Sequence, residues 1–184
     1  LNPTHKALRA GTAEAHDRVD SAFAAFDLTD RDSYAAFLRA HADVVLPFEA
    51  ALDAAGAQHV TPDWAERKRG DLLTEDLAFL RDAGEHRLEA PVAPGLEATD
   101  QAALAGALYV LEGSRLGGRF LVRQVPRGFP RAYLDADQAP EKWRNLLDRL
   151  DTILYQPEAL QSALAAAHNV FAAFERSAVR WTKG

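Results

Sequence analysis

The sequence contains no cysteine. A chain without thiols has no disulfide framework, no thiolate ligand and no nucleophilic sulfur, so any metal must be held by His, Asp or Glu. It also lacks the apolar run of about 18 residues that marks a membrane-spanning helix, and no charged-then-apolar leader resembling a signal peptide opens it. Basic side chains are in the minority, 21 Lys and Arg against 27 Asp and Glu, and the net charge of −6 argues against general nucleic-acid binding. Few segments alternate apolar and polar residues as strands do. No HExxH or similar paired-histidine motif occurs, and no flavin or nicotinamide fingerprint is visible. The absence of cysteine fits a cytoplasmic location.

What remains is a chain of 184 residues, 48% hydrophobic and rich in alanine, enough for one helical domain (1–184) with a sizeable core. No internal repeat or low-complexity linker divides it. Periodicity predicts about six helical segments. The first covers His5 to Phe26, where Leu8, Thr12, Ala15, Val19, Phe23 and Phe26 recur at steps of three and four. A second is capped by Asp32 or Ser33 and kinked at Pro47. Thr61-Pro62 opens a third, interrupted near Gly70. Gly84 to Glu97 reads as a loop. Asp100 starts a long helix to about Val125, and further helices run from Glu141 to Leu154 and from Pro157 to about Trp181.

Two features carry chemistry. His16 lies one turn after Thr12 and one turn before Asp20, with Val19 and Phe23 beside that line. An imidazole at the edge of an apolar face, with a carboxylate one turn on to fix its tautomer, suits a metal ligand; it equally suits a core-edge histidine bonded to a carboxylate. Gly113, Gly117 and Gly118 interrupt the helix that Asp100 opens, with Gly106 two turns earlier. Each interior glycine costs roughly 0.5–1 kcal/mol relative to alanine. Gly113 and Gly117 share a face, which either a flat ligand or a neighbouring helix can approach closely.

The segment Leu8-Arg-Ala-Gly-Thr12-Ala-Glu-Ala-His16-Asp-Arg-Val-Asp20 resembles the proximal-helix motif of haem oxygenases, LRxxTxxxHxxxE/D. Leu108-Tyr-Val-Leu-Glu-Gly113-Ser-Arg-Leu-Gly117-Gly resembles the distal-helix motif of their bacterial branch, which includes enzymes that make biliverdin for bacterial phytochromes. The resemblance implies an all-α, multi-helical fold with haem between the first helix and the glycine-bearing one. It implies haem as substrate and cofactor, His16 as the iron ligand and Arg9 and Tyr109 on the propionates. Thr12, Val19, Asp20, Gly113, Gly117, Gly118 and Phe171 are implied around the macrocycle. The implied reaction is reductive, O2-dependent cleavage to biliverdin, carbon monoxide and ferrous iron. Electrons come from an external donor such as a ferredoxin or a flavin reductase, and a bacteriophytochrome is the implied biliverdin acceptor.

Ser114 stands where animal-type enzymes carry an aspartate that organises distal water. The implied catalytic set is therefore Gly113, Ser114 and Gly117, with water anchored on distal backbone carbonyls. Arg115, Arg119 and Arg123 form a stripe that reads either as a landing surface for an acidic electron donor or as a solvated helix face. Trp143 and Trp181 read as packing residues. A haem-storage or transfer protein of the same fold is the binding alternative. A thiaminase-like hydrolase lacks its cysteine here, and a di-iron oxidase would draw on His41, Glu49 and Glu112, which match no ligand motif.

Overall fold

A computed structural model describes residues 2–80, 96, 100–136 and 139–183. Its helices are α1 (Pro3–Phe23), α2 (Arg31–Ala55), α3 (Trp64–Arg67), α4 (Gly70–Leu80), α5 (Gln101–Leu121), α6 (Pro140–Ile153) and α7 (Pro157–Thr182), with a 3-10 turn at Ala57–His59. No strand occurs among the described residues, so the fold is all-α as expected. The loop expected over Gly84–Glu97 falls, apart from Leu96, outside the described residues.

Helix boundaries follow local chemistry where a local cap exists. Asn2 accepts from the His5 amide, with Pro3 in the first turn of α1. Asp100 accepts from the Ala103 amide and opens α5 as expected. Four expectations need correction. The cap of α2 is Asp30, not Asp32 or Ser33; Asp30 accepts from the Ser33 amide, and the Ser33 hydroxyl is spent on the Asp27 amide. The third helix starts at Trp64, because the Thr61 hydroxyl turns to the Asp63 carboxylate; extended backbone at Lys68 then separates α3 from α4. The first helix stops at Phe23 and α5 at Leu121, each unwinding through turns while Phe26 and Val125 stay buried. α2 continues through Pro47 as one element.

The last helix organises the rest. α7 packs on α5, α1 and α2. Gly106 makes the α5 contact possible: a Cβ there would sit 2.0 Å from the Ala163 carbonyl oxygen. Gly11 of α1 lies against the Leu164 side chain, whose Cδ2 would be 2.6 Å from a Cβ there. At the far end of α7, Asp43 of α2 accepts from Ser177 and Trp181 and pairs with Arg180. α1 and α5 therefore pack on α7 rather than on each other, and a cleft opens between them.

Candidate functional site

The cleft holds a cavity of about 570 Å³, within the ~300–1,000 Å³ of ordinary small-molecule sites. Its α1 wall carries His5, Arg9, Thr12, His16, Val19 and Asp20. The steps of three and four in the sequence put these residues on one face, and the buried Leu8, Thr12 and Ala15 hold that helix to the core. His16 is accessible, with 60% of its side chain exposed, and its Nδ1 lies 3.2 Å from Asp20 Oδ2. That contact leaves Nε2 without a partner among the described residues, as a ligating nitrogen requires. Phe171 of α7 meets the imidazole edge-on at 5.9 Å. The Thr12 hydroxyl is spent on the Leu8 carbonyl at 2.8 Å, so Thr12 has no hydrogen left to donate to a ligand.

The α5 wall carries Tyr109, Val110, Gly113, Ser114, Leu116 and Gly117. A Cβ added at Gly117 would meet nothing within 4 Å, and one at Gly113 would touch only Trp143, at 3.6 Å. Neither glycine is demanded by a neighbouring helix. Both leave open space over the backbone, opposite the histidine wall. A planar, mostly apolar ligand fits this arrangement, because one wall offers a nitrogen ligand and the other carries no side chain at Gly113 and Gly117, where the space is open. Among the described residues no three His, Cys, Asp or Glu side chains gather to hold a bare metal ion.

Residues 2–179 match the family model described as Heme oxygenase. The chain belongs to the haem oxygenase family. It is similar to the Heme oxygenase of Xanthomonas campestris pv. campestris (strain 8004), with 35% identity covering 79% of this chain and 88% of that protein. Two solved structures share the fold. The NO- and CO-bound haem oxygenase of Neisseria meningitidis superposes with a TM-score of 0.78, at 22% identity over 100% of this chain and 94% of its own. Haem oxygenase from Leptospira interrogans gives 0.74, at 20% identity over 97% and 100%.

Of the site residues expected in this haem oxygenase-family chain, Arg9, Thr12, His16, Val19, Asp20, Tyr109, Gly113, Ser114, Gly117 and Phe171 line the cavity, and Gly118 does not. A Cβ on Gly118 would sit 3.0 Å from the Leu134 carbonyl oxygen, so this glycine serves the close approach of the 132–135 turn. Trp143, expected as packing, lines the cavity mouth, where its ring meets His5 at 5.9 Å and Tyr109 at 5.7 Å. Burial and the nearby Arg9 guanidinium lower the His5 pKa below the usual histidine value, which keeps this aromatic corner neutral. Arg115 leaves the expected basic stripe: it is buried and bonded to Glu112 at 3.0 Å and to the Arg67 carbonyl. Arg119 and Arg123 remain exposed.

His41 of α2 lines the cavity too, although no motif marked it as a site residue. Its Nδ1 is 2.9 Å from the Phe37 carbonyl oxygen. A carbonyl only accepts, so Nδ1 carries the hydrogen and Nε2 keeps its lone pair. Burial pushes the His41 pKa down to about 4, with Arg69 adding in the same direction against the Phe37 carbonyl, so the ring is neutral at pH 7. The carboxylates weighed as metal ligands are engaged elsewhere: Glu49 accepts from the Arg69 and Gly70 amides, and Glu112 from Arg67 and Arg115.

Behind Ser114 stands a cation. Arg69 is 5% exposed, and its Nη2 donates to Ser114 Oγ at 2.7 Å and to the Leu111 carbonyl at 2.9 Å. Ser114 in turn gives its own hydrogen to the Leu111 carbonyl at 2.6 Å. The serine therefore faces the cavity as an acceptor backed by positive charge, where an aspartate would bring negative charge.

Proposed function

We propose that this chain cleaves haem by the reductive, O2-dependent reaction that releases biliverdin, carbon monoxide and ferrous iron. The observation that carries the reading is the pairing of His16, with its Nδ1 against Asp20, and the open backbone at Gly113 and Gly117 across one cavity. Haem, when bound, supplies the redox chemistry and is also the molecule consumed. His16 holds it through Nε2, and Asp20 keeps the imidazole in the ligating tautomer. Arg9 and Tyr109 receive the propionates, a guanidinium and a phenol being natural partners of carboxylates. Thr12, Val19 and Phe171 supply the surrounding walls.

Gly113 and Gly117 would let their wall come close to bound haem, because neither places a side chain in the open space there. Ser114 cannot act as an anion. It offers cavity water a lone pair, and its Leu111 partner already accepts from two donors. Proton delivery then runs through water ordered at this acceptor and at distal backbone carbonyls.

The Leu108–Gly118 motif supports membership of the bacterial branch whose biliverdin serves phytochromes, and a cytoplasmic location with it. Electrons arrive from an acidic donor of the ferredoxin or flavin-reductase kind. The exposed rim beside Gly117 suits its docking, because Leu116 and Phe120 sit among Arg119 and Arg123, and Arg123 lies 5.8 Å from the Phe120 ring.

Haem titration of the purified chain and of His16→Ala tests the reading, followed by ascorbate or reduced ferredoxin in air. The expected outcome is a stoichiometric Soret shift that His16→Ala alters, then loss of the Soret band with appearance of biliverdin absorption. A Soret band that persists under reductant and air makes the chain a haem-storage or transfer protein. No Soret shift at all sinks the reading.

A further inference from the structure

Tyr133 is 1% exposed, and its hydroxyl is the one side-chain polar atom, among the described residues, that is buried without a hydrogen-bond partner. A phenol in that state is unusual, because leaving a buried donor unmet forfeits the hydration it had in water. Its surroundings are far from apolar. The Arg69 guanidinium carbon lies 4.7 Å from the Tyr133 ring centre. The charges that act on the phenol are those of Arg69, Glu49 and Arg115, with His41 edge-on to the ring at 5.4 Å. Among the described residues the Glu49 carboxylate accepts only backbone hydrogens, from Arg69 and Gly70, and two carboxylate oxygens have capacity for more. A neutral phenol with a hydrogen to give and a carboxylate with lone pairs to spare, both set against Arg69, are groups that an internal water can bridge.

Resting on the functional reading above, we propose that Tyr133 and Glu49 hold a buried water behind the α5 wall, and that Tyr133 is a positioning residue acting through Arg69 on Ser114. The water accepts from the Tyr133 hydroxyl and donates to Glu49. Tyr133 thereby presents its ring face as the platform for the Arg69 guanidinium, while Glu49 holds the Arg69 backbone. Arg69 is fixed at both ends, and its Nη2 keeps Ser114 turned to Leu111 with a lone pair towards the cavity. A loosened Arg69 would free the Ser114 hydroxyl to rotate and donate into the cavity, reversing the polarity offered to water there. Tyr133 does not itself line the cavity, although it meets His41, which does, at 5.4 Å, so its effect on turnover must pass through its neighbours.

Tyr133→Phe removes the hydroxyl and keeps the ring. In the ligand-free protein the denaturation midpoint falls if the hydroxyl anchors a water, since Glu49 loses its partner. It stays level or rises if the hydroxyl is an orphan, since the variant then discards an unmet donor; that result overturns the water site. In the haem complex the variant is expected to bind haem within twofold of the wild type and to turn it over at least tenfold more slowly. The solvent isotope effect should also be larger. In a Ser114→Ala background the same substitution should change turnover by less than twofold, because the side chain it acts through is gone. A lower midpoint with unchanged turnover, or a turnover loss that persists undiminished in Ser114→Ala, overturns the positioning role. A wild type that binds no haem overturns the functional reading and that role together, while the midpoint of the ligand-free protein still decides the water.

Discussion

Four glycines of one helix turn out to do two different jobs. Gly106 and Gly118 are demanded by neighbouring backbone, at 2.0 Å from the Ala163 oxygen and 3.0 Å from the Leu134 oxygen, whereas Gly113 and Gly117 face open space. Alanine at Gly117 should therefore stabilise the ligand-free protein by about 0.5–1 kcal/mol, the helix-propensity gain, while its methyl would intrude on the open space proposed to take the haem. We expect a higher denaturation midpoint together with at least a tenfold loss of haem turnover. Alanine at Gly106 should do the reverse in the first measurement, destabilising by about 1–3 kcal/mol or more because a carbonyl cannot step aside. A Gly117→Ala protein that turns over normally would remove the close-approach argument for that wall. Spacing alone grouped Gly113 with Gly117, yet it could not tell Gly118 from them, since the Leu134 turn that crowds it comes from elsewhere in the chain. His41 was illegible for a related reason: its site face is created by α1 and α7 closing around α2, and no local pattern records that.

At the scale of elements, the sequence was readable where a helix is capped by its own neighbours and opaque where the cap is borrowed. Asp100 announces α5, but α4 starts on amides held by Glu49, from a different helix and about twenty residues back. The short α3 is held likewise. Arg67 donates to Glu112 at 2.8 Å and to Asp63 at 2.7 Å, and Arg115 closes on Glu112 and on the Arg67 carbonyl. Glu112 thus ties α3 to the inner side of α5, the helix whose outer side forms the glycine wall. Its carboxylate neutralises two buried guanidinium groups, and removing one partner of such a cluster typically costs about 3–5 kcal/mol. Glu112→Ala should lower stability by that order in chemical denaturation and weaken haem binding, because the wall loses its anchor. A loss below about 1 kcal/mol would mean the arginines find other partners readily and the tie is not what sets α5.

The charge of the whole molecule is −6, so an acidic electron donor meets net repulsion unless a basic area is aimed at the site. The rim supplies one: Arg119 and Arg123 are exposed beside Leu116 and Phe120, directly outside Gly117, and Phe120 is 67% exposed. Apolar area flanked by cations next to a redox site is the arrangement that combines steering with contact. The stripe read from the sequence was one residue too long, since Arg115 turns inward to Glu112, and the surviving pair gains its meaning from position rather than from helical spacing. Exchanging both Arg119 and Arg123 for glutamate reverses the local field by four charges. Turnover driven by a reduced ferredoxin should then fall at least tenfold at low ionic strength, with most of the wild type's salt dependence lost, if these residues provide the steering that screening acts on. Turnover driven by ascorbate, a small reductant that needs no docking surface, should stay within twofold, as should haem affinity. Equal losses with both reductants would locate the defect in the cavity rather than at the rim. Unchanged ferredoxin rates would show that the donor docks on another face of the protein.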